Sequence, residues 1–159
     1  MAKAVKVTIE RTTRQKRAIR SAFESEGRPL STSEAFEAAQ STIDGLGIAT
    51  VYRSIRSLLD DGWLTPIEVP GKGILYELAG KEHHHHFSCT SCHRVFELDG
   101  CDATVDVSLP RGFSANGHDV TIFGRCAECA AALRQATAKA KAKSAPAERP
   151  KKVARKRRA

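Results

Sequence analysis

Long apolar runs are absent from this 159-residue chain, and no stretch approaches the 18 or so consecutive apolar residues of a membrane span. The opening "MAKAVKVTIERTTRQKRA" has no apolar segment of the kind a secretory signal needs. A cytoplasmic protein without a membrane partner is therefore expected. Catalytic signatures are missing as well: there is no H-E-x-x-H, no G-x-S-x-G, no phosphate-cradling glycine loop and no acidic pair tied to a nucleophile. An enzyme is not expected. Acidic residues all but vanish from residues 137–159, "TAKAKAKSAPAERPKKVARKRRA", which hold ten Lys or Arg against one Glu. That segment carries net +9 in a chain of net +8, which leaves about −1 for residues 1–136. It has too little apolar surface to bury, so a disordered basic tail is expected, an electrostatic arm for a polyanion such as DNA whose effect fades with salt.

What remains is short and patterned. Residues 12–26, "TTRQKRAIRSAFESE", read as an amphipathic helix with Ile19, Ala22 and Phe23 on one face, ended near Gly27 and Pro29. "STSEAFEAAQ" opens with Ser31 and Glu34 in capping-box spacing, ahead of Ala35, Phe36 and Ala39. "IATVYRSIRSLLDDG" places Val51, Ile55, Leu58 and Leu59 at helical spacing and offers Gly62 as the stop. "WLTPIEV", a turn at "PGKG" and "ILYEL" read as a β-hairpin. Three helices and a hairpin is the order of a winged helix-turn-helix. The second half reads as strands at "HHHHFSC", "RVFELDG" and "DVTIFGRC", an ambiguous "DATVDVSL", and a short closing helix. The expected fold class is α+β: a winged helix-turn-helix over residues 1–79, a small α/β metal-binding dimerisation domain over 80–136, and the tail over 137–159. A module this small buries little core, so a metal staple or a dimer interface is physically expected.

Five cysteines fall at 89, 92, 101, 126 and 129. Cys89, Cys92, Cys126 and Cys129 form two Cys-x-x-Cys hooks with 33 residues between them, the pattern of a closed tetrahedral zinc site whose role is folding. A redox dithiol would sit singly near a βαβ pattern, which is lacking. Cys101 and His93 have no evident partner. The first hook follows four consecutive histidines in "KEHHHHFSCTSCHRVFE", residues 81–97. Side chains alternate on a strand, so His84 and His86 share one face, and His83 and His85 the other. Each face could offer two imidazoles to a metal, with Glu77, Glu97 and His118 as completing ligands from neighbouring predicted strands. Mixed N/O donors are compatible with iron, zinc, manganese or nickel.

Together these residues resemble the ferric uptake regulator family. "TTRQKRAI" resembles its first-helix entry, "GIATVYRSIRSLLDDGWL" its recognition helix, and "HHHHFSC" with "HDVTIFGRCAEC" its metal core; the similarity runs over roughly residues 8–134. The resemblance implies a homodimeric, metal-dependent DNA-binding regulator, usually a repressor of metal-uptake or oxidative-stress genes, that binds double-stranded operator DNA. It implies structural zinc on Cys89, Cys92, Cys126 and Cys129. It also implies a regulatory divalent ion (Fe²⁺, Zn²⁺ or Mn²⁺) on Glu77, His84, His86 and Glu97, and a further metal site on His83, His85 and His118. Tyr52 and Arg53 match DNA-contacting positions, and Thr50 and Arg56 share their predicted exposed helix face. Leu30 stands where the family commonly has a sensing-site histidine, and Ala79 is closest to where zinc sensors often have a cysteine. Loss of sensing would leave an alternative, a constitutive zinc-stabilised architectural DNA-binding protein. A zinc hydrolase on the histidine face lacks any placed general base.

Overall fold

The computed structural model describes residues 2–100 and 108–143, with backbone alone over 2–12 and 141–143. Three helices come first, α1 (Ala2–Glu26), α2 (Thr32–Gln40) and α3 (Ile48–Asp60). The hairpin β1 (Leu64–Val69) and β2 (Gly73–Leu78) follows, then β3 (His85–Cys89), β4 (Val95–Leu98), β5 (Thr121–Gly124) and α4 (Ala127–Lys143). This is the expected α+β order.

Local chemistry fixes the helix ends. Ser31 caps α2: its hydroxyl accepts from the Glu34 amide at 3.2 Å, and the Glu34 carboxylate accepts from the Ser31 amide at 2.9 Å. Two orphan donors are thereby satisfied reciprocally. At the far end of α3, the Gly62 amide donates to the Leu59 carbonyl at 3.0 Å and the Trp63 amide to the Leu58 carbonyl at 2.9 Å. That pairing is a Schellman stop, and Gly62 supplies its left-handed residue at φ +67°. It turns the chain directly into β1.

α1 begins at Ala2, well ahead of the expected Thr12, because no Gly or Pro interrupts residues 2–26. α4 runs to Lys143, so residues 137–143 are helical rather than part of a disordered tail. Alternating Ala and Lys are strong helix formers, and the first proline after them is Pro146. The rest of the tail (144–159), Cys101 and most of "DATVDVSL" lie outside the described residues.

One core joins the helices to the hairpin. Ile19, Phe23, Leu30, Val51 and Leu58 are buried in it, alongside Ala35, Ala39, Ile55 and Leu64. Each large side chain so buried contributes about 1.5–3 kcal/mol relative to exposure. Leu30 is held there from both sides: its amide donates to the Tyr76 carbonyl and its carbonyl accepts from the Tyr76 amide, each at 2.9 Å. A three-stranded sheet in order β4-β3-β5 follows, β3 antiparallel to β4 and parallel to β5. By contacts the chain divides into compact units at Gly124 and Arg125. The expected division at residues 79 and 80 falls inside the first unit, where Val95 of β4 packs with Val69 and Leu75 of the hairpin.

Candidate metal centres and recognition helix

The histidine run sorts onto two sides of the chain, as strand alternation requires, although β3 proper begins only at His85. On one side, single donor atoms of Glu77, His84 and His86 lie within 4.8 Å of one another. Glu77, at the end of the wing, is 4% exposed. Its Oε2 is 3.2 Å from Nε2 of His84 and 3.3 Å from Nε2 of His86. The two rings meet edge to face at 4.9 Å.

The protons at His84 reveal what this arrangement wants. Nδ1 of His84 lies 2.8 Å from the Glu82 carbonyl, which can only accept, so Nδ1 carries a hydrogen. A neutral imidazole has one ring proton, so Nε2 then presents a lone pair towards a carboxylate oxygen. Two acceptors face each other unless a cation sits on Nε2, either a proton or a metal ion. Burial works against charging His84, but the Glu82 carbonyl, the Glu77 hydrogen bond and the charges of Glu77 and Glu97 overcome it and raise the pKa. An imidazole whose outer nitrogen is anchored on a backbone carbonyl is also how histidine ligands are oriented for metals. The donor set fits a divalent ion.

On the other side, His83, His85 and His118 bring three imidazole nitrogens within the same 4.8 Å limit. Their ring centroids are 4.8, 4.9 and 5.0 Å apart. Burial, then the neighbouring His83 and His118, lower the pKa of His85, with Asp119 opposing. His85 is therefore biased to the neutral, metal-binding form.

Glu97 is the member of the predicted regulatory set that the first group leaves out. It faces His86 across the β3–β4 ladder, but its carboxylate forms an ion pair with Lys81. A lysine in a loop gives no sequence signal for such a pairing, since only strand register brings residues 81 and 97 together.

At the first hook, Cys89 is fully buried and its Sγ accepts from the Ser91 and Cys92 amides at 3.4 and 3.5 Å. His93 turns the chain with φ +67°, and its ring meets the Lys72 ammonium at 2.9 Å, so it has a partner that the sequence did not reveal. The second hook opens α4, where the Ala130 amide donates to the Cys126 carbonyl. Each hook offers two thiols, and a closed tetrahedral zinc with Zn–S of about 2.3 Å takes four.

α3 buries Val51, Ser54, Ile55 and Leu58 and turns Tyr52, Arg53 and Arg56 outward, with Tyr52 59% exposed. Thr50 is half-buried and accepts from Arg53 at 3.4 Å, while Arg56 pairs with Asp60 at 3.3 Å. Tyr52, Arg53 and Arg56 therefore share one exposed helical face, with Thr50 half-buried to one side of it. Sequence reasoning passed over a basic groove of about 600 Å³ on α1, lined by Lys16, Arg17 and Arg20 with Thr13, Ser21 and Glu24.

The profile of the ferric uptake regulator family matches residues 8–123. The ferric uptake regulation protein of Campylobacter jejuni is 34% identical over 87 residues, 53% of this chain and 55% of its own length, so this chain spans about half of that relative. The zinc uptake regulation protein of Mycobacterium tuberculosis is 29% identical over 122 residues, 75% of this chain and 94% of its own. The Helicobacter pylori ferric uptake regulator aligns with a TM-score of 0.52 at 23% identity, covering 81% of this chain and 91% of that one. A zinc-bound manganese uptake regulator aligns with a TM-score of 0.62 at 21% identity, covering 70% and 87%. At these identities the structural likeness is one of fold. The profile match takes in the three N-terminal helices, the wing, the three-stranded sheet and both histidine groups, and on it the chain belongs to the ferric uptake regulator family.

Proposed function

We propose that this protein is a metal-dependent transcriptional regulator that binds operator DNA as a homodimer and acts as a repressor, its DNA-competent form favoured by a divalent ion on Glu77, His84 and His86. The observation that carries the reading is His84, whose Nδ1 is committed to the Glu82 carbonyl while Nε2 faces the Glu77 carboxylate. A divalent ion there would draw one ligand from the wing and two from the strand that follows, tying their relative placement to metal supply. Moving a two-state equilibrium from 1:99 to 99:1 needs about 5.5 kcal/mol of differential binding. Two imidazoles and a buried carboxylate are a donor set of the right order for that task.

The remaining assignments follow the same logic. Cys89, Cys92, Cys126 and Cys129 hold structural zinc, and His83, His85 and His118 form a further metal site. Thr50, Tyr52, Arg53 and Arg56 face DNA, where arginine can read guanine O6/N7 or hold a phosphate. Ile122 and Phe123 of β5, 50% and 53% exposed, lie on an outer strand of the sheet and suit pairing with a second copy. The role is binding rather than turnover.

Leu30 favours a second reading. It is fully buried in the helical core and offers no donor next to the wing, which suits a constitutive architectural protein with zinc as a staple only. Fluorescence anisotropy on promoter DNA separates the two, with protein that retains only its cysteine-bound zinc. Zn(II), Mn(II) and, without oxygen, Fe(II) are titrated at fixed moderate salt. The regulator shows a large gain in affinity with one ion. Binding that ignores every ion assigns the architectural role instead.

A further inference from the structure

The Glu77–His84–His86 group supplies three donors. Tyr76, beside Glu77 on β2, is bridged to Leu30, which is apolar and buried. A further carboxylate, Glu97, stands directly opposite His86 in the β3–β4 register. Its carboxylate is held by the Lys81 ammonium, with the two side chains 17% and 27% exposed. Lys81 sits in the segment between the wing and β3, three residues before His84.

The geometry points to Lys81 as an internal competitor for the regulatory ion: its ammonium holds Glu97 while the group is metal-free, and an incoming divalent cation takes that carboxylate from it. Binding is then an exchange of one cation for another. Lys81 keeps its proton and passes into water, which its partial exposure makes inexpensive. Because the ion pair must be broken before Glu97 can serve as the fourth donor, Lys81 raises the metal concentration at which the site fills. The strength of the pair sets a response threshold without altering any ligand. This inference rests on the reading of Glu77, His84 and His86 as a metal site.

Co(II) is a suitable probe, since its visible absorption reports nitrogen and oxygen ligation and its affinity can be fixed by competition with a chelator. The protein carries its cysteine-bound zinc throughout, and loss of the band in His84→Ala identifies the site. Lys81→Met is expected to tighten Co(II) binding about fivefold, the scale of a partly exposed ion pair. Lys81→Arg, which keeps the charge, is expected to bind as the parent does and controls for damage to the fold. In a Glu97→Gln background, Lys81→Met should change nothing, because no carboxylate is left to release. Equal tightening in both backgrounds would mean that Lys81 merely repels the cation, which overturns the exchange. Unchanged affinity in both would mean that freeing Glu97 does not bring it to the ion, and overturns it too. A protein with no His84-dependent band would remove the metal reading and this inference together, whereas an intact band indifferent to Lys81 removes the inference alone.

Discussion

Glu34 performs two jobs with one carboxylate. It completes the cap of α2 with Ser31 and receives Arg28 Nη1 at 2.7 Å. Burial pushes its pKa up, but the Ser31 and Arg28 hydrogen bonds and the Arg28 charge more than offset this and hold it below the ordinary value. A depressed carboxylate stabilises the fold above its unfolded pKa of about 4.3, and the gain disappears as pH falls through the lower folded value. Glu34→Ala should therefore cost about 1 kcal/mol at neutral pH, with the deficit shrinking below about pH 4. Urea denaturation followed by Trp63 fluorescence checks this, since Trp63 packs edge to face on Phe23 in the same core. A deficit independent of pH would mean that packing rather than charge supplies the effect. The capping box was legible because its partners are three residues apart. Leu30 paired with Tyr76, Lys81 with Glu97, and Lys72 with His93 were not, because each depends on how distant segments meet. The two histidine faces were legible because alternation is a local rule, even though two of the four residues precede β3.

At the scale of elements, α3 could be read end to end: its apolar residues recur at helical spacing and Gly62 stops it. α1 and α4 were misjudged in length for a common reason. The sequence signals used were amphipathic stripes, and both helices continue where the stripe fades but no breaker intervenes. For α4 this matters to the basic arm. Residues 137–143 carry three of the ten tail cations on a helix, and residues 144–159 carry the other seven. If the tail acts by neutralising phosphates, each contact contributes about 0.9 to the slope of log affinity against log salt. Deleting residues 137–159 should flatten that slope markedly, and ending the chain after Lys143 should produce most of the same change. Anisotropy on DNA at several salt concentrations measures both. An unchanged slope would leave the tail a solubilising segment.

For the molecule as a whole, cohesion is unevenly shared. Among the described residues, the helices and hairpin have eleven buried apolar residues in one cluster, from Ile19 to Leu64. The three-stranded sheet contributes only Val95 to the other cluster among the described residues, beside Val69 and Leu75 of the wing. So small a core cannot offset the entropy of ordering three strands, whereas structural zinc on thiolates contributes on the order of 10–16 kcal/mol. Stripping the metal with a strong chelator should melt β3, β4 and β5 while the winged helix persists. Trp63 is the chain's one tryptophan and sits with Phe23 and beneath Arg20, so its fluorescence reports the winged helix alone. Amide exchange over residues 85–98 and 121–124 reports the sheet. The expected result is fast exchange in the sheet with Trp63 unmoved, reversed on adding Zn(II). If Trp63 shifts together with the exchange, the packing of Val95 on the wing makes the two regions one cooperative unit. If neither changes, the thiolate cluster is not what holds the sheet, and Cys89→Ser should then leave the fold intact.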